Sequence, residues 1–185
     1  YRAADAATTG PVAEGNVGAG AGATVGKMGG RPMKGGIGSA AIVLPNGLVV
    51  AAIVASNSVG DIIDPETGQV VAGTRTADGT QIADVRKLLR TGAIGAGRNA
   101  APRPAENTTI GLVATNARLT KAEIHRVALM ADDGYGRAIY PTHTTGDGDT
   151  VFALATGRWD GQANVAVIGA LAADAMAEAI VRSVS

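Results

Sequence analysis

The chain has 185 residues, about the size of one domain, and 46% of them are hydrophobic, enough to bury a core. Sixteen basic and sixteen acidic residues cancel, and no Lys/Arg cluster stands out, which argues against a nucleic-acid partner. Cysteine is absent, excluding disulfides, thiolate metal sites and a Cys nucleophile; the apolar stretches break well before the roughly 20 residues that span a bilayer, so no membrane partner is expected.

The first residue is Tyr1 rather than Met, and no charged and then apolar leader follows, so the chain reads as an internal piece of a longer one, with the cytoplasm as default location. Glycines from Gly15 to Gly38 recur at irregular spacing, so residues 10–38 form neither a collagen repeat nor a solenoid and read as ordered loop. Residues 40–44 and 48–55 are apolar and partly β-branched, joined by Pro45-Asn46-Gly47; this predicts a β-hairpin buried on both faces. The turn Asp64-Pro65-Glu66-Thr67-Gly68 between Ile62-Ile63 and Val70-Val71 predicts a short edge hairpin. Residues 75–106, with Gly92, Gly95, Gly97, Pro102 and Pro104, are the most linker-like stretch, apart from a helical turn at 82–89.

At Asn107 the character changes abruptly, and residues 109–115 read as a strand. Thr120 with Glu123 is a capping box opening a helix with Ile124, Val127, Ala128 and Ala131 at helical spacing, stopping near Asp133-Gly134. Residues 150–156 predict another strand, and 165–184 a packed C-terminal helix with Ile168, Ala172, Met176 and Ile180 on its stripe. The proportions suggest an α/β fold with two layers of sheet and helices outside; on pattern alone an ordinary α/β arrangement stays open.

Several chemical motifs fail on inspection. Residues 20–28 imitate a phosphate loop, but the spacer before Gly26-Lys27 is wrong and Met28 stands where a Ser or Thr would hold magnesium. Asp147-Gly148-Asp149 resembles the opening of a calcium loop, but Val151 occupies the third ligand position and Arg158 the place of the bidentate Glu. The two histidines, His125 and His143, have no partner at ligand spacing, so neither metal nor cofactor is expected. His143 lies near Asp147, but the serine contexts do not resemble a nucleophile elbow.

Asn107-Thr108-Thr109-Ile110 spells a glycosylation sequon, and Thr108 has a plain reading as the first residue of a strand. Yet this segment with Val113-Ala114-Thr115-Asn116, followed by Asp147-Gly148-Asp149-Thr150-Val151-Phe152-Ala153, resembles the small subunit of DmpA-type aminopeptidases, nearest in pattern to the nylon-oligomer (6-aminohexanoate) hydrolases. Upstream, Gly15-Asn16-Val17-Gly18-Ala19-Gly20 and Asn57-Ser58-Val59-Gly60-Asp61 resemble the end of the large subunit, so the likeness covers most of the chain in order.

The resemblance implies an α/β/β/α sandwich of the type shared with ornithine acetyltransferases, with the remainder of the family's longer chain preceding Tyr1. It implies self-cleavage at Asn107-Thr108 within a single domain, giving residues 1–107 and a small subunit of residues 108–185, with Thr108 as nucleophile. By position, Lys27 matches a lysine near the nucleophile, Asn57 an oxyanion donor, and Asp147 and Asp149 the acidic pair that orients it. Taken singly, Asn57 reads equally as a turn residue, Lys27 as a surface charge and Asp147-Gly148-Asp149 as a plain turn. The physical logic is that a Thr hydroxyl needs a base, and a free α-amine, with an ordinary pKa of about 7.7–8, supplies one on the same residue. The implied partners are a short peptide or amide substrate, the cleaved companion subunit, and further copies in a homo-oligomer, often a tetramer of processed pairs. Acyl transfer to an amine, and a non-catalytic member of the fold, are the competing readings.

Overall fold

A computed structural model describes residues 2–94 and 107–185, so Gly95, Gly97, Pro102 and Pro104 of the linker-like stretch lie outside the described residues. A short helix α1 (Arg2–Asp5) leads into loop, within which β1 (Thr24–Val25) and β2 (Met33–Lys34) form a small antiparallel pair. The predicted central hairpin is β3 (Gly36–Val43) and β4 (Val49–Ser56). Gly47 takes φ 83°, the left-handed conformation that favours glycine, while Leu44 N donates to Leu48 O at 2.8 Å and Asn46 Oδ1 accepts from Leu48 N at 3.1 Å. The second hairpin is β5 (Asp61–Ile63) with β6 (Val70–Ala72), its turn held by Asp64 Oδ1 accepting the Glu66 N–H at 2.8 Å.

Helix α2 (Val85–Arg90) follows, then β7 (Ile110–Thr115). The capping box of Thr120 and Glu123 opens α3 (Lys121–Ala131) as predicted. Helix α3 ends just before Asp133-Gly134, as the sequence implies, and a second helix, α4 (Asp133–Ala138), starts there and runs into β8 (Ile139–Tyr140). The last elements are β9 (Thr150–Ala155) and α5 (Val165–Arg182), whose first N–H groups are capped by Asn164 Oδ1 at 3.0 and 3.2 Å.

The main sheet has the order β3-β4-β7-β9, antiparallel until β9 joins β7 in parallel, and a three-stranded sheet β6-β5-β8 borders α4 and α5. Helices α3 and α5 cover one face of the main sheet, where Val50, Val54 and Val113 meet Ile168, Met176 and Ile180, all essentially buried. Each such side chain contributes about 1.5–3 kcal/mol by leaving water. The approach of α5 is close: a Cβ on Gly38 would fall 1.9 Å from the Ala179 carbonyl oxygen, so only glycine fits.

The opposite face corrects the expectation of a hairpin buried on both sides. Ile37, Ile53 and Leu112 are half-buried there, and Ile110, Phe152 and Leu154 are exposed, because the helices lie on one side only. Among the described residues, the main sheet therefore carries helices on one face, and its second apolar face is left partly exposed.

Candidate active site

The junction predicted to be cut is a rung of the main sheet. Thr108 N donates to Asn57 O at 3.2 Å, one residue beyond the end of β4, and on the other side Gly148 N donates to Asn107 O at 3.0 Å, two residues before β9. Thr150 N continues this ladder to Thr109 O at 3.0 Å. The Asn107–Thr108 peptide is thus gripped through its N–H from β4 and through its carbonyl from the β9 approach. Asn107 is 3% exposed, and the Thr108 hydroxyl lies 2.6 Å from the Asn107 carbonyl oxygen, to which it donates.

Lys27 and Asn57 meet this rung together. Gly26 N and Lys27 N pair with Gly60 O and Val59 O, both at 2.9 Å, which fixes the lysine's backbone beside the β4 end. Gly26 has φ 72° and an added Cβ would lie 2.1 Å from the Gly73 carbonyl carbon, so the bend requires glycine. Lys27 Nζ donates to Asn57 O at 2.9 Å and to Asn57 Oδ1 at 2.7 Å, and Thr24 N holds the same Oδ1 at 3.0 Å. Lys27 Nζ and Thr108 N therefore converge on one carbonyl oxygen, that of Asn57. Asn57 reaches Thr108 through its main chain, while its side-chain oxygen accepts from Lys27 and Thr24.

The acidic pair flanks Gly148 and holds backbone around Thr108. Asp149, almost fully buried, accepts from Thr109 N at 3.0 Å and from Thr142 Oγ1 at 3.1 Å. Asp147 Oδ2 accepts from Val59 N at 3.1 Å, and Asp147 Oδ1 is buried without a hydrogen-bond partner. Burial pushes the Asp147 carboxyl up to about 6; the Val59 N–H opposes this, nearby Asp149 reinforces it and Lys27 draws it back.

His143, set aside at the level of sequence, sits at the back of this pair. Its ring nitrogens lie 3.4 Å from Asp149 Oδ2 and 3.4 Å from Asp132 Oδ2, with its backbone at φ 53°, uncommon for a side-chain-bearing residue. It contacts the acidic pair rather than a serine. Also missed were Gly148, Val59 and Thr24, which act through main-chain N–H groups and so carry no residue-type signal.

Beside Thr108 and Asn57 lies a cavity of about 280 Å³ walled by the small residues Ala19, Gly22, Ala23 and Ala55. A larger one, about 630 Å³, surrounds Trp159 at the other end of the sheet, far from these carboxylates and the lysine. The smaller cavity is the one beside which polar groups converge, the larger is not.

The chain is 40% identical, over its whole length, to an uncharacterized aminopeptidase of Mycobacterium leprae, and spans about half (52%) of that relative. It is 31% identical over 147 residues to a 6-aminohexanoate-oligomer endohydrolase of Paenarthrobacter ureafaciens, covering 72% of this chain and 40% of that protein. Among solved structures, the L-aminopeptidase D-Ala-esterase/amidase of Ochrobactrum anthropi, described as a new variant among the Ntn hydrolase fold, superposes with a TM-score of 0.63 at 22% identity, covering 98% of this chain and 47% of that one. The fold is thus that variant of the N-terminal-nucleophile hydrolase fold. Residues 1–185 match peptidase family S58 throughout, and the chain belongs to that family.

Proposed function

We propose that this chain is the core of a self-processing amide hydrolase, in which breakage of the Asn107–Thr108 bond frees Thr108 as an N-terminal nucleophile. The observation that carries this reading is the convergence of Lys27 Nζ and Thr108 N on Asn57 O. Once the peptide is cut, that nitrogen is an α-amine held beside an ammonium. The positive neighbour disfavours a second positive charge, so the amine's pKa falls below its ordinary value of about 7.7–8 and it stays a free base near neutral pH. It then takes the proton of its own hydroxyl, and Thr108 Oγ attacks the substrate carbonyl to give an acyl-enzyme that water opens.

The acidic pair serves as positioning groups: Asp149 through the Thr109 N–H, and Asp147 through the Val59 N–H next to Lys27's backbone partner. The small-walled cavity beside Thr108 suits a slender acyl chain, in keeping with short peptides or amino-acid oligomers as substrates. Relatives named as aminopeptidases and as a 6-aminohexanoate-oligomer endohydrolase support both substrate classes. Hydrolysis of L-, D- and β-aminoacyl amides beside 6-aminohexanoate oligomers, measured for the native chain and for Thr108→Ala, tests the reading. Release of amine from at least one substrate, lost in the variant, is expected; undiminished hydrolysis by the variant would sink it.

A further inference from the structure

Cutting Asn107–Thr108 requires a group that takes up negative charge on the Asn107 carbonyl oxygen before any free amine exists. Among the described residues, two donors reach that oxygen: the Thr108 hydroxyl at 2.6 Å and the Gly148 N–H at 3.0 Å. The hydroxyl is the attacking group and gives up its proton, so it cannot remain the donor. We infer that the Gly148 main-chain N–H is the oxyanion donor of the self-cleavage step, a role that rests on the reading above.

The position is suited to it on three counts. The donor lies within the window of about 2.7–3.1 Å in which a preorganised N–H stabilises a forming oxyanion. It is held rigidly, because Asp147 and Asp149 on either side are anchored to Val59 N and Thr109 N, and no reorganisation is needed as charge develops. Glycine is also the residue the site admits, since a Cβ at position 148 would fall 2.8 Å from Thr108 Oγ1. A side chain there would press on the nucleophile itself.

In the step so described, Thr108 Oγ bonds to the Asn107 carbonyl carbon and the carbonyl π pair moves onto the oxygen, where the Gly148 N–H becomes a charge-assisted donor. Collapse breaks the carbon–nitrogen bond. The hydroxyl proton ends on the departing Thr108 nitrogen, leaving an ester of Asn107 on Thr108 Oγ and a free amine. Water then opens the ester, giving the Asn107 carboxylate and restoring the hydroxyl. Throughout, Asn57 O keeps the nitrogen in place from the opposite side of the rung.

The test replaces one atom. Glycolic acid incorporated in place of Gly148 by suppressor-tRNA translation turns the N–H into an ester oxygen and adds no bulk. Self-cleavage of the intact chain is followed by mass beside the native chain and Thr108→Ala, with melting curves to establish that the ester variant is folded. The expected result is cutting slowed about 10²–10³-fold, the cost of removing one oxyanion donor. A folded ester variant that cuts within about threefold of the native rate overturns the inference while leaving Thr108 as nucleophile. If the ester variant does not fold, the uncut Thr108→Ala chain decides: a scalar coupling across the hydrogen bond from Gly148 N to the Asn107 carbonyl carbon supports the assignment, and its absence overturns it. A native chain that never cuts removes the inference together with the function it rests on.

Discussion

The ladder between β4 and β7 is closed at each end by an asparagine, and the two ends differ in the groups they bring together. At the far end, the Asn116 side chain accepts from Val49 N and donates to Gly47 O, both at 2.9 Å, while Trp159 N and Nε1 donate to Asn116 O and Asn46 O, also at 2.9 Å. Those bonds join neutral groups, each donor met by an acceptor. At the near end, Asn57 receives an ammonium and the N–H of the Asn107–Thr108 peptide, and the carbonyl of the same peptide faces an N–H flanked by two carboxylates. An asparagine closing a strand is ordinary. What distinguishes a reactive junction from a lock is charge held at short range, with one carboxylate oxygen, Asp147 Oδ1, buried without a hydrogen-bond partner.

The contrast breaks most sharply on the nucleophile. Thr108→Ala should abolish cutting, by about 10⁴-fold or more, because among the described residues no other hydroxyl donates to the Asn107 carbonyl. Thr115→Ala, which removes a hydroxyl donating to Val49 O at the far end, should leave cutting intact, as intact-mass time courses would reveal. Next in size is the pair of asparagines. Asn57→Ala should slow cutting about 10²-fold by removing the side-chain acceptor that helps to hold Lys27, the Asn57 carbonyl oxygen remaining. Asn116→Ala should change the rate little but cost about 0.5–1.5 kcal/mol of stability, the net worth of a hydrogen bond whose backbone partners water can reach.

Lys27→Met sharpens the electrostatic half of the comparison. Without the ammonium, the amine of cleaved Thr108 returns toward its ordinary pKa, so the acid limb of the hydrolysis profile should move to higher pH by about one unit, with about a four- to fivefold loss at pH 7. The smallest effect concerns Asp147. Its carboxyl is raised to about 6 in the folded chain, so it favours folding below the unfolded value of 3.8 and that contribution is lost as pH rises through 6. Asp147→Asn should therefore raise Tm relative to the native chain above pH 6, by about 2–4 °C, and not at pH 4, in thermal melts across that range. Asn116→Ala should show the native pH dependence, since its partners do not titrate.

Much of this site was legible in the sequence through side-chain identity and order. Thr108, Lys27, Asn57, Asp147 and Asp149 were marked by a resemblance running through the chain, and the structure gathers them within one strand end. The central hairpin was legible because Asn46-Gly47 demands a left-handed residue at a fixed place. Gly148 was not, because it acts through a backbone N–H that every residue but proline carries; only its neighbours' spacing pointed there. The misjudged burial of β3 and β4 has a similar origin. Apolar residues on both faces of a strand declare that both can be covered, but not by which segment, and the helices of this chain cover one.

The most direct test is an intact-mass and N-terminal-sequence measurement on the purified native chain. The account predicts two fragments, the smaller one beginning at Thr108 and spanning residues 108–185. A single uncut species after prolonged incubation, or a break at any other bond, would contradict it.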